Sequence, residues 1–272
     1  MGTHHFLETV TLHKPTEFKM ELDLHSWLEF CAYHTDGYEN DTTNFLVSCF
    51  RDRGHFLDVG ANIGLISIPF SMLVRSSMPT NEPFVSCIEA VRSNHRRLSK
   101  NIVMNGLVSV VNALQYGVAE RQKTVEIQVE GNLMDGEGTG TANVLAEDAD
   151  HPCERISMDV TTIDHLVQES KIPKEVSLVK FDLDGYDLKA CQGARELLSS
   201  ARPVVFGEFN AYCMHWHGQT RDDVKEYMKE LDYDIFVRRK GSFTFSRNSS
   251  SDGDLLILPR ERVPEFNWCC QE

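Results

Sequence analysis

From residue 55 onward, short apolar runs alternate with longer stretches whose apolar positions recur at helical spacing. Residues 56–59 (Phe-Leu-Asp-Val) read as a buried strand, and after a glycine-containing turn residues 65–74 read as an apolar helix. Residues 84–88 form a second predicted strand. Ser93 stands where a cap is wanted for a helix reaching Met104, which Asn105-Gly106 stops. Residues 108–114 give a third strand. The rhythm then breaks. Residues 124–129 and 156–160 read as extended, and between them 131–140 is Gly-rich and acidic. Such an insertion is commonly a binding loop or a lid, and residues 138–143 are expected either to close over ligands or to form a flexible hairpin. Regularity returns with a strand at 178–181, a helix at 188–198 and a strand at 204–207. Beyond Thr220, the side chains of Val224, Tyr227, Met228 and Leu231 share one helical face. Strands at 233–237 and 255–258 close the sheet, with 248–251 as a hairpin loop. Strands separated by helices predict an α/β, doubly wound fold with a mostly parallel sheet and right-handed crossovers. Residues 1–50 carry a different pattern. Trp27, Leu28, Phe30 and Cys31 suggest a helix and 34–43 is polar and turn-rich, so this part is expected to be a helical and loop extension, or cap, on a domain covering 51–272.

Composition narrows the class. With 272 residues, 41% of them hydrophobic, the chain is long enough to bury a sizeable core. No apolar run reaches the roughly 20 residues of a membrane helix; the best candidate, 57–74, is interrupted by Asp58, Asn62, Ser67 and Ser71. The first residues carry neither a basic start nor an apolar stretch, and Phe6 stands where a myristoylation signal wants Ser or Thr, so neither a signal peptide nor a lipid anchor is expected. The terminal Cys269-Cys270-Gln271-Glu272 reads as a plain tail. A net charge of −14 repels phosphate backbones, so no nucleic-acid partner is expected; Arg92, His95, Arg96, Arg97 and Lys100 read as a solvated helix face. The eight cysteines are irregularly spaced and include no C-x-x-C pair. They read as reduced thiols in a cytoplasmic protein, with no zinc ribbon.

The segment richest in chemistry is Asp58-Val-Gly60-Ala-Asn62-Ile-Gly64, between the first strand and first helix of the repeating unit. In open α/β sheets ligands gather at the carboxyl ends of such strands. Gly60 and Gly64 let the backbone approach a ligand, and Asn62 offers both donor and acceptor. Glu89 ends the next strand, where a carboxylate accepts ribose hydroxyl hydrogens. Turn and acid together specify a nucleoside-bearing cofactor, either a dinucleotide or S-adenosylmethionine. A dinucleotide site wants G-x-G-x-x-G so that pyrophosphate meets the helix N-terminus. Here the spacing is D-x-G-x-N-x-G, and Asp58 with main-chain groups suits an amino acid end and a sulfonium better.

The segments Phe56-Leu-Asp-Val-Gly-Ala-Asn-Ile-Gly-Leu65, Cys87-Ile-Glu-Ala90, Asn101-Ile-Val-Met-Asn-Gly-Leu107, Val179-Lys-Phe-Asp-Leu-Asp-Gly-Tyr-Asp-Leu188 and Gln192-Gly-Ala194 resemble, in order and spacing, the FkbM-type methyltransferase family. The resemblance runs from about residue 55 to 210. It implies a Rossmann-like class I methyltransferase fold, a seven-stranded sheet whose last strand is antiparallel. It also implies S-adenosylmethionine as donor and O-methylation of a hydroxyl on a sugar or natural product. By matching position, Gly60, Asn62 and Gly64 would border the methionine part and Glu89 the ribose. The sequence departs from the family's K-x-D-x-E-G-x-E, reading Lys180-Phe-Asp182-Leu-Asp184-Gly185-Tyr-Asp187, with both Glu residues shortened to Asp. The usual Pro after the strand-end Glu is Ala90.

Methyl transfer from a sulfonium is an in-line displacement that needs alignment, exclusion of water and a base for the acceptor's proton; no metal is obligatory. Asp182, delivered by its strand to the ligand edge, is the leading candidate at the reaction centre, to hold the donor amine, orient the acceptor or take its proton. As a bland alternative it would cap the next helix. Lys180 shares its strand face as catalytic group or ion-pair partner. In Cys213-Met-His215-Trp-His217 the polar side chains would share one face if the segment were extended. That spacing is compatible with zinc, but without a fourth ligand no metal site is assigned; His215 is kept as a candidate base. Glu208 lines the pocket or caps a turn. The competing classes are an NAD-type oxidoreductase and a non-catalytic cofactor-binding module of the same fold. The acceptor is expected to be a small-molecule hydroxyl.

Overall fold

The computed structural model describes residues 7–50, 54–77, 82–129, 142–144, 155–247 and 252–271. The Gly-rich stretch at 131–140, most of the expected lid, the loop at 248–251 and Cys153 lie outside the described residues. In chain order the elements begin with β1 (Leu7–Leu12), β2 (Phe18–Asp23), α1 (Trp27–Thr35) and α2 (Asn40–Cys49). The repeating part follows with β3 (His55–Val59), α3 (Ser67–Ser77), β4 (Val85–Ile88), α4 (Arg92–Met104), β5 (Val111–Leu114) and β6 (Gly117–Val118). Next come β7 (Lys123–Val129), β8 (Ala142–Val144), β9 (Arg155–Thr161), α5 (Ile163–Gln168) and β10 (Val176–Phe181). The chain continues through α6 (Asp187–Gln192), α7 (Arg195–Ala201), β11 (Val204–Gly207), α8 (Ala211–His215) and α9 (Arg221–Glu230). It ends with β12 (Tyr233–Arg238), β13 (Phe245–Ser246), β14 (Leu255–Pro259), a 3₁₀ turn at Arg260–Phe266 and β15 (Cys270–Gln271).

Two compact units organise these elements. The first consists of Met1–Arg53, Gly60–Gly117 and Thr124–Asp159, and the second of Gly54–Val59, Val118–Lys123 and Val160–Glu272. In the first unit β4 and β5 pair in parallel, Val85 opposite Val111 and Ile88 opposite Leu114, and β7 pairs antiparallel with β8. Phe50, Phe70 and Phe84 are buried together, Phe50 meeting Phe70 edge-on at 5.4 Å.

The same unit holds an element the sequence reading missed: the N-terminal segment is a β-hairpin followed by two helices. β1 and β2 pair antiparallel, Leu7 opposite Asp23 and Leu12 opposite Phe18. Phe18, Met20 and Leu22 are fully buried on one face of β2. Its backbone is also gripped by α4. Asn105 donates to the Lys19 carbonyl at 2.7 Å and accepts from the Lys19 amide at 2.8 Å. Asn101 accepts from the Glu21 amide at 2.8 Å, and Arg97 donates to the Glu21 carbonyl at 2.7 Å. Four helical residues advance about 6 Å and two strand residues nearly 7 Å, so Asn101 and Asn105, four apart, meet Glu21 and Lys19, two apart. The turn-rich stretch at 34–43 is also corrected: from Asn40 it is already α2.

Two helix boundaries depart from expectation. α4 starts at Arg92 with Val91 as its N-cap, so Ser93 is a buried first-turn residue and not the cap. The single helix expected at 188–198 is two, α6 and α7, broken at Gly193-Ala194. A Cβ at Gly193 would strike the Ala119 carbonyl. The Gly193 carbonyl accepts from the Asp164 amide at 2.9 Å, while the Asp164 carboxylate accepts from the amides of Glu196 and Leu197 at 2.8 and 2.9 Å. A side chain from α5 thus satisfies the free amides of α7.

The second unit contains strands in the order β15-β13-β12-β14-β11-β10-β3. β3, β10 and β11 are parallel, with Lys180 opposite Asp58 and Phe181 opposite Gly207. β14 lies between β11 and β12 and runs antiparallel to both. The five longer strands here and the parallel pair of the first unit make up the seven that the resemblance implies, with the last in sequence antiparallel. The two-residue strands β13 and β15 are additions. The architecture is the Rossmann-like, doubly wound class I arrangement. Among the described residues, Cys31, Cys191, Cys213 and Cys270 are thiols outside any disulfide. Among the described residues, no helix is long and apolar enough to cross a membrane.

Candidate functional site

The turn at residues 60–64 is shaped by three left-handed positions: Gly60 at φ 86°, Asn62 at φ 49° and Gly64 at φ 93°. Asn tolerates this region better than most side chains, and glycine enters it freely. At Gly64 space adds a second constraint, since a Cβ would sit 2.8 Å from Leu98 Cδ1 and 2.9 Å from Ile68 Cδ1. The turn is fastened to the end of β4. The amides of Gly60 and Ala61 both donate to the Ile88 carbonyl at 3.0 Å, and the Asn62 amide donates to Glu89 Oε2 at 2.9 Å. Glu89 Oε1 accepts from the Val91 amide at 2.9 Å, at the start of α4. The structure therefore brings together Gly60, Asn62, Gly64 and Glu89. It also gives Glu89 a task that sequence did not suggest, holding the turn that it borders.

Asp58, Lys180 and Asp182 form a second group, built by the parallel register of β3 and β10. Lys180 lies opposite Asp58, and Asp182 is two residues further on, so all three project to one face. Lys180 Nζ is 3.0 Å from Asp182 Oδ2 and 3.4 Å from Asp58 Oδ1. Asp58 and Lys180 are buried, whereas the Asp182 side chain is 48% exposed. Asp182 is the accessible member of the group. Asp182 does not cap the following helix. Its N-cap is Tyr186, with no side-chain bond, and the first helical residue, Asp187, instead braces the turn ahead of it, its Oδ1 and Oδ2 accepting from the amides of Leu183 and Gly185 at 3.0 and 3.1 Å. The shorter side chain suits this tight turn, in which Asp184 and Gly185 are left-handed at φ 48° and 93°.

Electrostatics set the two remaining aspartates apart. Burial, with a contribution from the charge of Asp182, pushes Asp187 up to about 7, against the pull of its amide donors. Asp184 keeps an accessible edge, yet the protein around it and the carboxylates of Asp182 and Glu208 push it up to about 6. Glu208 is exposed just past β11 and accepts from Asn210 Nδ2 at 3.0 Å. Phe209 beside it is fully buried at φ 43°, an uncommon conformation for a bulky residue. Arg221, which sequence did not single out, holds this strand end. Its guanidinium donates to the carbonyls of Glu208 and Phe209 at 2.9 and 3.0 Å and to that of Gly253 at 2.9 Å.

The condition set for Cys213, His215 and His217 fails, because Ala211–His215 is helical and not extended. Asn210 caps this helix, accepting from the amides of Tyr212 and Cys213 at 3.0 and 3.2 Å. Residues two apart on a helix do not share a face. His215 is exposed. His217 is half-buried edge-on to Tyr186, with ring centroids 5.2 Å apart. Lys189 and Lys123 approach the same Tyr186 ring at 4.8 and 5.5 Å. Burial first, then these two ammonium groups, push His217 down to about 4, so it is neutral at physiological pH. Lys123 and Glu120 pair at 2.8 Å. This grouping joins residues nearly a hundred positions apart, and no local pattern announces it. Among the described residues, no group of three His, Cys, Asp or Glu side chains is arranged to hold a metal. A cavity of about 320 Å³ lies elsewhere, lined by Arg238, Arg239, Lys240 and Gly241 and by Asp252, Gly253 and Asp254, and holds none of these candidates.

The sequence matches the Methyltransferase FkbM domain over residues 58–235. Among solved structures, it is similar to an FkbM methyltransferase from Methylobacillus flagellatus, with 18% identity and a TM-score of 0.45, covering 79% of this chain and 49% of that one. The chain thus spans about half the length of that protein. It is also similar to an O-methyltransferase from Bacillus cereus in complex with SAH (12% identity, 80% of each chain, TM-score 0.44). A third is the tRNA m1G37 methyltransferase of M. jannaschii (11% identity, 95% of this chain and 55% of that one, TM-score 0.44). No curated protein matches the sequence. The domain match takes in the turn at 60–64, Glu89 and the Lys180 to Asp187 segment, well over half of the chain: it belongs to the FkbM methyltransferase family.

Proposed function

We propose that the chain is an S-adenosylmethionine-dependent methyltransferase that places a methyl group on a hydroxyl of a small molecule. One observation carries the reading: the strand-end carboxylate of Glu89 is held against the glycine turn by the Asn62 amide at 2.9 Å. A strand-end carboxylate beside backbone bared by two glycines suits a ribose diol and an adjoining amino acid end. The D-x-G-x-N-x-G spacing is not that of a pyrophosphate turn.

When bound, S-adenosylmethionine supplies a methyl group already activated on a sulfonium. In this reading Glu89 receives the ribose hydroxyl hydrogens, and Gly60, Asn62 and Gly64 border the methionine portion. Asp182, accessible and steadied by Lys180, orients the acceptor hydroxyl and receives its proton. Lys180 fixes the Asp182 rotamer, and the exposed His215 is the second candidate for proton removal.

Calorimetric titration of the wild type and of Glu89→Ala tests the reading. The wild type should bind S-adenosylmethionine and S-adenosylhomocysteine but not NAD. Loss of a charged hydrogen-bonding group should weaken donor binding by about 1–3 kcal/mol. An unchanged dissociation constant in Glu89→Ala, or preferential binding of NAD, would remove the assignment. Transfer of labelled methyl to a panel of alcohols, sugars and amines then tests the acceptor class; labelling of amines alone would refute the hydroxyl.

A further inference from the structure

Asn101 lies fully buried on α4, with its amide bound at both ends. Its Nδ2 donates to the Ile63 carbonyl at 3.0 Å, and its Oδ1 accepts from the Glu21 amide at 2.8 Å. The two backbone partners dictate which end is which, since a carbonyl needs the NH₂ and an amide needs the oxygen. Ile63 sits between the left-handed positions Asn62 and Gly64. The turn is therefore tied down twice, at its start by the Ile88 carbonyl and Glu89, and at its far end by Asn101. Leu98, one helical turn before Asn101, closes the space beside Gly64.

We infer that Asn101 is a positioning residue for donor binding, holding the Ile63 carbonyl so that residues 60–64 keep the path a donor requires, with β2 locking the amide's orientation through Glu21. The inference rests on the reading that this turn and Glu89 take the donor. Burial alone would ask only for a side chain of this volume. A fully bonded amide between a strand edge and a left-handed turn specifies geometry as well. Asn105, one helical turn on, supplies an internal comparison. It grips the same hairpin through Lys19 and bonds the Asn101 carbonyl at 2.8 Å, and its side-chain bonds reach no residue of the turn.

Titration calorimetry with S-adenosylhomocysteine on the wild type, Asn101→Asp, Asn105→Ala and Glu89→Ala decides the matter, read beside thermal midpoints. Asn101→Asp keeps the acceptor for Glu21 but sets an oxygen against the Ile63 carbonyl, and should raise Kd about tenfold or more. Asn105→Ala should lower the midpoint and leave Kd within about twofold. Equal loss of affinity in the two variants, or wild-type affinity in Asn101→Asp, would overturn the inference while a weakened Glu89→Ala leaves the donor site standing. Absence of binding by the wild type would instead remove the donor reading and this inference with it. Should Asn101→Asp not fold, Asn101→Ser makes the same comparison without a buried charge. Hydrogen exchange on the wild type needs no variant: ligand should slow the Glu21 amide together with those of residues 60–62, and an unchanged Glu21 amide refutes the coupling.

Discussion

Two influences pull the Asp187 carboxyl in opposite directions. Its oxygens accept from two backbone amides, which favours the charged form, while complete burial and the nearby charge of Asp182 favour the neutral one and prevail, leaving it near 7. An unfolded aspartate titrates near 3.9. Between these values the folded state binds more protons than the unfolded state, so this residue's contribution is full below about 4 and is lost as pH rises through about 7. Asp187→Asn removes the titration and keeps a side-chain acceptor for one amide. The wild-type thermal midpoint minus that of Asp187→Asn should therefore fall steadily between pH 4 and about 8. A difference that stays flat would mean that the amides hold the carboxyl ionised throughout. That this position is shortened from Glu to Asp is visible in the sequence; the reason is not. The shorter arm reaches the amides two and four residues back, a contact that depends on the left-handed turn at Asp184 and Gly185.

At the scale of elements, the N-terminal hairpin and α4 act as one clamp with an ion pair at its centre. Arg97 and Glu29 are both buried, with Nη2 to Oε2 at 2.6 Å and Nη1 to Oε1 at 3.0 Å, and Glu29 also accepts from the Asp23 amide. Removing one member strands the other's charge in the interior. Arg97→Met should cost about 3–5 kcal/mol in urea denaturation, and the double variant Arg97→Met/Glu29→Met should recover much of it. A small effect in the single variant would show that water reaches the pair and screens it. In sequence, Arg97 reads as part of a solvated helix face with Arg92, His95, Arg96 and Lys100, and for Arg92 and Arg96 exposure agrees. Arg97 differs because it faces β2, and β2 was not foreseen. The signal was present, since Phe18, Met20 and Leu22 alternate with Lys19, Glu21 and Asp23 at strand period. What concealed it is that Glu21 and Asp23 on the polar side are buried too, Glu21 paired with Arg97 and Lys100 of α4. The same holds for the α6–α7 break. Gly193 is visible in the sequence, but the Ala119 carbonyl that requires it and the Asp164 cap that exploits it come from distant segments.

For the whole molecule, what proved legible was whatever depends on local order. β3, β4, β10, β11, β12 and β14 fall within a residue or two of their expected places, because each is a short apolar run bounded by turn residues. The pairing of Asp58 with Lys180 was not legible, since it follows from register between strands far apart in the chain. Charge is a property of the full sequence that needs no coordinates. With 41 acidic residues against 27 basic ones, the net charge is −14, and the basic side chains that cluster near Tyr186 are partly committed to Glu120 and the ring itself. A protein that grips a nucleic acid releases counterions from several phosphates, so its affinity rises steeply as salt falls. This chain should do the reverse, because lowering the salt lengthens the range over which its carboxylates repel a polyanion. Mixing it with transfer RNA or duplex DNA at about 50 mM salt should give no mobility shift, and unlabelled RNA should not compete for methyl transfer to a small alcohol. A complex that tightens as salt is lowered, with a log–log slope corresponding to several phosphate contacts, would place the acceptor among nucleic acids and displace the small-molecule reading.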